Sequence, residues 1–241
     1  MIVTIHQVEH LSYLGLLDKI RQADLLILGD DFQFKKNYFE NRNRIRTDTS
    51  QGWEWVTVPV QKHNHIPMNQ VQISKTDWKE TYLRKIKYAY EKSQYFADYF
   101  PGLREVIESA NLSLLELNKT LLLWLLEEFD IHPEIRYSSE FNVPGLGTQR
   151  LRSLCEAARA DTYLSGCSGQ DYLDQPEFQR AEIPITFHSF LHPTYPQTSL
   201  PFIQNMSSID LLFNCGPLSR EILQGRGIQG KSVGYMTTTG R

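Results

Sequence analysis

The 241-residue sequence predicts an α/β fold, a largely parallel sheet with a helical insertion in the middle of the chain. Three observations carry this. IVTI (2–5), LGLLDKIRQ (14–22) and LLILG (25–29) read as strand, helix and strand within 30 residues, a βαβ unit. The same alternation resumes after residue 134. Between the two halves, Trp78, Tyr82, Ile86 and Ala89 or Tyr90 recur at helical spacing.

The elements follow in order. IVTI is a short β-branched run suited to a buried strand, and LLILG is a continuous apolar run of the kind parallel sheets bury on both faces. In the helix between them, Leu14, Leu17 and Ile20, or Leu16 and Ile20, share a side. WEWVTVPV (53–60) alternates large and small residues, and Pro59 places this strand at an edge or near its end. VQI (71–73) is the partner expected for it. SLLE (113–116) is a capping box, with Ser113 accepting from an amide and Glu116 reaching back, so a helix is expected over about 114–129. In the second half EIRYS (134–138), DTYLSG (161–166) and IPITFHSF (183–190) read as strands. GLGTQRLRSLCEAAR (145–159), QDYLDQPEFQR (170–180) and SSIDLLFN (207–214) read as helices, the first after a glycine turn. The sum is a Rossmann-like sheet in a single domain over 1–217, with the insertion at about 76–130. Residues 218–241, rich in glycine and threonine towards the end, are expected to be loosely ordered.

Hydrophobic residues at 41% and charged residues at 22% are ordinary globular values, and a net charge of −3 excludes a dedicated nucleic-acid binder. Three cysteines without C-x-x-C spacing form neither a disulfide framework nor a zinc site, and are read as reduced thiols. MIVTIHQ lacks the basic region of a signal peptide, and LLELNKTLLLWLLEEF is interrupted by charges and too short to span a bilayer. A cytoplasmic protein without a membrane span is expected.

Ligands of open α/β sheets bind beyond the carboxyl ends of the strands, and three loops satisfy that geometry. In HQVEHLSYLG (6–15), His6 and His10 stand four apart, but the glutamate of the H-E-x-x-H zinc motif is not in place, so no metal site is assigned. His6 and Gln7 at the strand's end are candidate ligand contacts. The second loop, DDFQFKKNYFENRNRIR (30–46), places Asp30 and Asp31 after a buried strand, followed by Gln33, Asn41, Arg42, Asn43 and Arg44. An acid there can bind a metal or a ribose hydroxyl, accept a proton, or simply pair with Arg42 or Arg44. If N-R-N-R-I-R is extended, Arg42, Arg44 and Arg46 share one face, and either Asp30, Asp31 and Glu40 or an external anion must neutralise them. The third loop, SGCSG (165–169), joins a strand to a helix. Ser165, Gly166, Ser168 and Gly169 form either an anion-binding turn of free amides or a plain turn. It is neither a Walker motif nor a nucleophile elbow, and no neighbour in the sequence visibly activates Cys167.

These same segments carry a resemblance. IHQ (5–7), LGLLDKIRQAD (14–24), LGDDFQ (28–33), NRNRI (41–45), WEWVTVPV (53–60), RSLCEAARADTYLSGCSGQDYL (152–173), HPTYPQ (192–197) and SSIDLLFNCGP (207–217) resemble, in order, the WbqC family. That family is associated with bacterial O-antigen and other surface-polysaccharide gene clusters. The resemblance implies a transferase or ligase that attaches an acyl or aminoacyl group to a sugar-type acceptor, with a small-molecule or nucleotide-linked substrate. The first loop departs from the family's P-N-Y-L-P-W, reading Val8-Glu9-His10-Leu11-Ser12-Tyr13. A weaker architectural resemblance is to HUP-type nucleotidyltransferase domains, which bind ATP over the first loop and activate a carboxylate as an adenylate. It implies ATP with magnesium as cofactor and His6 and His10 beside the phosphates, although the H-x-G-H signature is absent.

In the leading expectation the arginines hold a carboxylate or phosphate, while His6 with Asp30 or Asp31 handles protons. The contrasting one is a non-catalytic protein that holds a nucleotide-sugar or a partner enzyme. Trp78, Tyr82, Tyr88, Tyr90, Tyr95 and Tyr99 would then form an interface rather than core.

Overall fold

The computed structural model describes residues 1–61, 66–75 and 77–226. Its centre is a five-stranded, all-parallel sheet built from β1 (Ile2–Gln7), β2 (Leu25–Gly29), β5 (Glu134–Tyr137), β6 (Thr162–Ser165) and β7 (Ile185–Phe187), in the order β5-β2-β1-β6-β7. A separate antiparallel hairpin joins β3 (Arg42–Arg46) to β4 (Trp53–Thr57). The helices are α1 (Leu14–Arg21), α2 (Lys79–Tyr90), α3 (Phe96–Ser109), α4 (Leu114–Glu128), α5 (Gly147–Ala157), α6 (Gly169–Tyr172), α7 (Gln175–Arg180), α8 (Ile209–Cys215) and α9 (Ser219–Leu223). None of them is long and apolar enough to cross a membrane.

Alternation along the strands divides the core in two. Leu26 and Leu28 pack with α1 and the helices α2–α4, whereas Val3, Ile5, Leu25 and Ile27 pack with α5 and α7 on the opposite face. Both faces are therefore covered, which is why LLILG carries no polar residue. Thr4 is buried, and its hydroxyl donates to the Leu164 carbonyl at 2.8 Å, tying β1 to β6.

Several expected elements change in the structure. β1 runs two residues beyond IVTI, so His6 and Gln7 end the strand, opposite Leu28 and Gly29, instead of opening the loop. β4 pairs with the arginine segment, while VQI meets only the end of the 53–60 stretch, through the Ile73–Val60 bridge and the Ser74 amide on the Pro59 carbonyl, and bridges Ser113 through Gln72. The stretch expected as one helix over 170–180 breaks into α6 and α7 at Asp174, with Pro176 in the first turn of α7. Ser113 caps α4 by accepting from the Glu116 amide at 3.3 Å, but Glu116 pairs with Lys119 instead of reaching back. Order also continues past residue 217: Ile222 and Leu223 of α9 are buried in the core. The remainder of the expected tail, 227–241, lies outside the described residues.

The loop after β1 is held by buried polar bonds. His10 Nδ1 meets the Asn118 side-chain oxygen at 2.8 Å and Nε2 meets the Tyr82 hydroxyl at 2.6 Å. The amide oxygen must accept, so Nδ1 carries the proton and Nε2 accepts from the tyrosine. Asn118 Nδ2 donates to the carbonyls of Val8 and Glu40, and Asn43 Nδ2 to those of His10 and Leu11. Leu11, at φ 45°, is thus fixed in a left-handed conformation unusual for its type.

Burial lowers the His10 pKa to about 4. An unfolded histidine protonates below about 6.5, so this contribution to stability is complete above that pH and is lost as pH falls towards 4. His10→Ala leaves the Asn118 and Tyr82 groups unpaired and should cost about 3 kcal/mol. Thermal denaturation should show this as a drop in Tm of roughly 6–12 °C.

Candidate functional site

The strand order reverses between β1 and β6: the next strands in sequence, β2 and β5, lie to one side, and β6 and β7 to the other. Such a reversal leaves a crevice beyond the carboxyl ends of the two strands. A cavity of about 480 Å³ lies there. Ile5, His6 and Gln7 reach it from β1, and Glu9 and Tyr13 from the following loop. Tyr163, Ser168 and Tyr172 contribute from the β6 side, and Lys35, Tyr38, Phe39 and Arg44 from the hairpin and the loop leading to it.

His6 and Thr4 share the face of β1 that meets α1, and this parity brings Lys19 onto His6. Lys19 is only 3% exposed, and its Nζ lies 3.1 Å from His6 Nδ1 and 3.4 Å from the Ile5 carbonyl. His6 Nε2 lies 3.0 Å from Glu9 Oε1. The ammonium can only donate, so Nδ1 accepts it and the Nε2–H donates to the glutamate. Burial lowers the Lys19 pKa to about 8. Burial and then the lysine charge lower that of His6, against an upward pull from Glu9. The result is a Lys19–His6–Glu9 chain with an uncharged imidazole at its centre. Nothing in the motif HQVEH marks it. The available signals are the three-residue spacing of His6 and Glu9, and a lysine in a helix, LGLLDKI, with almost no polar side to receive it.

The paired acids do not neutralise the arginines. Asp30 is buried and accepts from the Ser138 hydroxyl and from both the amide and the hydroxyl of Ser139. Asp31 accepts from Ser138 and pairs with Arg150. Arg42 instead lies 4.0 Å above the Trp55 ring, and Arg44 lies 5.2 and 5.9 Å from the Trp53 and Trp55 centroids. The antiparallel register, Arg44 opposite Trp55 and Arg46 opposite Trp53, puts arginines and tryptophans on one face. Arg46 is buried and donates to the carbonyls of Thr47, Gly52 and Pro201. Among the described residues no carboxylate pairs with Arg42 or Arg44, and the Nε of each is buried without a partner.

Of the residues singled out in the sequence, His6, Gln7, Arg44 and Ser168 line this cavity. Asp31 and Gln33, again with Gln7, line a neighbouring one. His10, Asn41 and Asn43 are buried supports: Asn41 bonds the Asn37 amide and the Val58 carbonyl. His10 therefore cannot approach a phosphate. In the SGCSG loop, the amides of Gly169, Gln170 and Asp171 close turns on Gly166, Cys167 and Ser168. A Cβ on Gly169 would stand 2.1 Å from the Ser165 hydroxyl, so this glycine is required by packing. Ser165 is buried with its hydroxyl on the Gly166 carbonyl, and α6 is a single turn.

Residues 7–222 match the model of the WbqC-like protein family. The chain belongs to the WbqC-like family. It is 32% identical over 226 residues to the uncharacterized protein Rv1507c of Mycobacterium tuberculosis (strain ATCC 25618 / H37Rv), covering 92% of this chain and 97% of that one. No solved structure matches it. The match to the WbqC-like model takes in the altered first loop and every residue lining the cavity except Ile5 and His6, which precede it.

One further acid of this WbqC-like chain stands next to the site. Glu40 is 2% exposed, and neither carboxylate oxygen has a partner among the described residues. Asn118 ties the Val8 and Glu40 carbonyls together, which sets Glu40 beside Glu9. Burial, reinforced by the Glu9 charge, raises its pKa to about 7. A glutamate raised from an unfolded value of about 4.5 lowers stability progressively as pH rises from there to about 7, by roughly 3 kcal/mol in full. Glu40→Gln should therefore raise the Tm by several degrees at pH 8 and leave it nearly unchanged at pH 4.5, as calorimetry at the two pH values would show.

Proposed function

We propose that the protein transfers an acyl or aminoacyl group to an amino or hydroxyl group of a sugar-type acceptor, as a step in assembling a surface polysaccharide or related glycan. The observation that carries this reading is the Lys19–His6–Glu9 chain in the wall of a cavity that also holds the unpaired Arg44.

In this reaction the acceptor's nitrogen or oxygen attacks the acyl carbonyl carbon and loses its proton to the Glu9 carboxylate. The bond from that carbon to the donor's leaving group then breaks, and the leaving group departs with the electron pair. Lys19 fixes the His6 tautomer, so that His6 donates to Glu9 and holds the carboxylate in place. Arg44, with no carboxylate of its own, takes an anionic part of the donor, and Lys35 stands on the same rim. Positioning and charge stabilisation of this kind are worth several kcal/mol of barrier. Glu9, held by His6, thus takes the proton-accepting role that the sequence suggested for His6 with Asp30 or Asp31; Asp30 is already bonded to Ser138 and Ser139, and Asp31 to Ser138 and Arg150.

The test is donor consumption, measured with ATP plus free amino acids and with acyl thioesters, each with sugar and amino-sugar acceptors. His6→Asn and Glu9→Gln should lower turnover by about 100-fold or more while keeping a cooperative thermal transition. Arg44→Ala should chiefly raise the KM for the anionic donor, by about 10- to 100-fold. Wild-type turnover should fall as pH rises through about 8, where Lys19 loses its charge, and this limb should be missing from the residual activity of Lys19→Met. Binding of donors with no consumption in any acceptor's presence would make this a carrier rather than a transferase.

A further inference from the structure

A second cavity, of about 420 Å³, opens beside the first and shares Gln7, Phe32, Lys35 and Leu151 with it. The two are compartments of one crevice. Their chemistry differs. The first holds His6, Glu9 and Arg44, whereas Phe32, Pro67, Leu146 and Leu151 give the second a mainly apolar wall. Leu146 stands 86% exposed at its edge, at the start of α5. A large apolar side chain left in water at the lip of an apolar cavity is an unfilled contact. Its polar lining consists of Gln33 and the Asp31–Arg150 ion pair, together with Gln7 and Lys35, which it shares with the first cavity. Lys35 stands at the divide, its Nζ 5.5 Å over the Tyr38 ring, with no carboxylate partner among the described residues.

We propose that this second compartment holds the nucleoside end of a nucleoside phosphate donor. Its base lies against Phe32 and Leu146, and its phosphates pass Lys35 towards Arg44. An alkyl chain would match the apolar wall but would cover the Asp31–Arg150 edge without bonding to it. A nucleobase has flat apolar faces and a hydrogen-bonding edge, and ribose adds hydroxyls, so both walls are used. The charge at the divide selects the linker: an anion crossing Lys35 meets a cation that forms no ion pair with a carboxylate among the described residues. The location at the end of β2, one strand over from the reversal of strand order, lets a single extended ligand span both compartments. The inference rests on the crevice being the donor site of the transfer reaction, and it adds where the donor's non-reacting end is bound.

Titration calorimetry on the full chain tests it, with ADP, inorganic pyrophosphate and octanoate as probes. ADP should bind at least tenfold more tightly than pyrophosphate. Leu146→Glu should abolish that difference while leaving pyrophosphate affinity and Tm unchanged, because the replaced side chain is exposed. Leu146→Ser, which adds no charge, should reduce the difference in part. Lys35→Ala should weaken ADP and pyrophosphate alike. Equal affinity for ADP and pyrophosphate, no binding of either, or ADP binding indifferent to both Leu146 variants overturns the proposal. So does octanoate binding that Leu146→Glu abolishes while ADP gains nothing from its base. Selective ADP binding by a protein that consumes no donor would keep this site and defeat the transfer reaction; turnover without selectivity for ADP would do the reverse.

Discussion

A polar loop has to pass between an apolar sheet face and an apolar helical layer, and the way its hydrogen bonds are met governs the rest of the structure. Residues 8–12 leave β1 at the crevice and run under α2 and α4, where water cannot satisfy them. His10, Asn118, Tyr82 and Asn43 do so instead, each bonding to atoms of the loop or to one another. Because a buried donor or acceptor left alone costs so much, the loop has one conformation available. That conformation turns Glu9 towards His6 and sets Glu40 beside it. The helical insertion supplies Tyr82 and Asn118, and so shapes the site without lining the first cavity.

The charges beyond β2 are sorted so that the acids and the hairpin arginines do not meet. Asp30 and Asp31 are drawn to Ser138, Ser139 and Arg150, while Arg42 and Arg44 rest on tryptophan faces. A tryptophan ring orients a guanidinium and shields its carbon face, yet leaves its N–H groups able to bind an anion. Burial then acts on the groups that remain, moving Lys19 down and Glu40 up towards neutrality.

The altered first loop fits this arrangement. Where the resemblance leads one to expect P-N-Y-L-P-W, the chain reads Val8 to Tyr13, and it is this stretch that contributes Glu9 to the contact with His6, His10 to the buried network and Tyr13 to the cavity wall. The left-handed Leu11 shows how closely the turn is constrained. Two sequence-distant segments, the β3–β4 hairpin and α4, hold it in place through Asn43 and Asn118.

The sequence by itself determined the parallel α/β architecture, the placement of α1 and β2, the cap of α4, and the position of His6 and Gln7 at the carboxyl end of a strand. Local patterns suffice for these, because a strand buried on both faces must be wholly apolar and a crevice must lie at the strands' carboxyl ends. It misled where partners are remote. VQI was expected to pair with WEWVTVPV and does so only at Pro59 and Val60; the arginine segment takes 53–57, since pairing there lets Ile45 and Asn43 be buried while the arginines meet the tryptophans. The local pattern left open whether the acids or an external anion neutralise the arginines, and the structure removes Asp30 and Asp31 from that role, because Ser138 and Arg150, more than 100 residues away, hold them. Only the tertiary structure decided that Lys19 sits against His6 and that His10 is a support rather than a ligand contact. A lysine or histidine in a one-dimensional pattern does not disclose how deeply it is buried, and burial is what brings Lys19 and His6 into one hydrogen-bonded chain and makes His10 a structural pin.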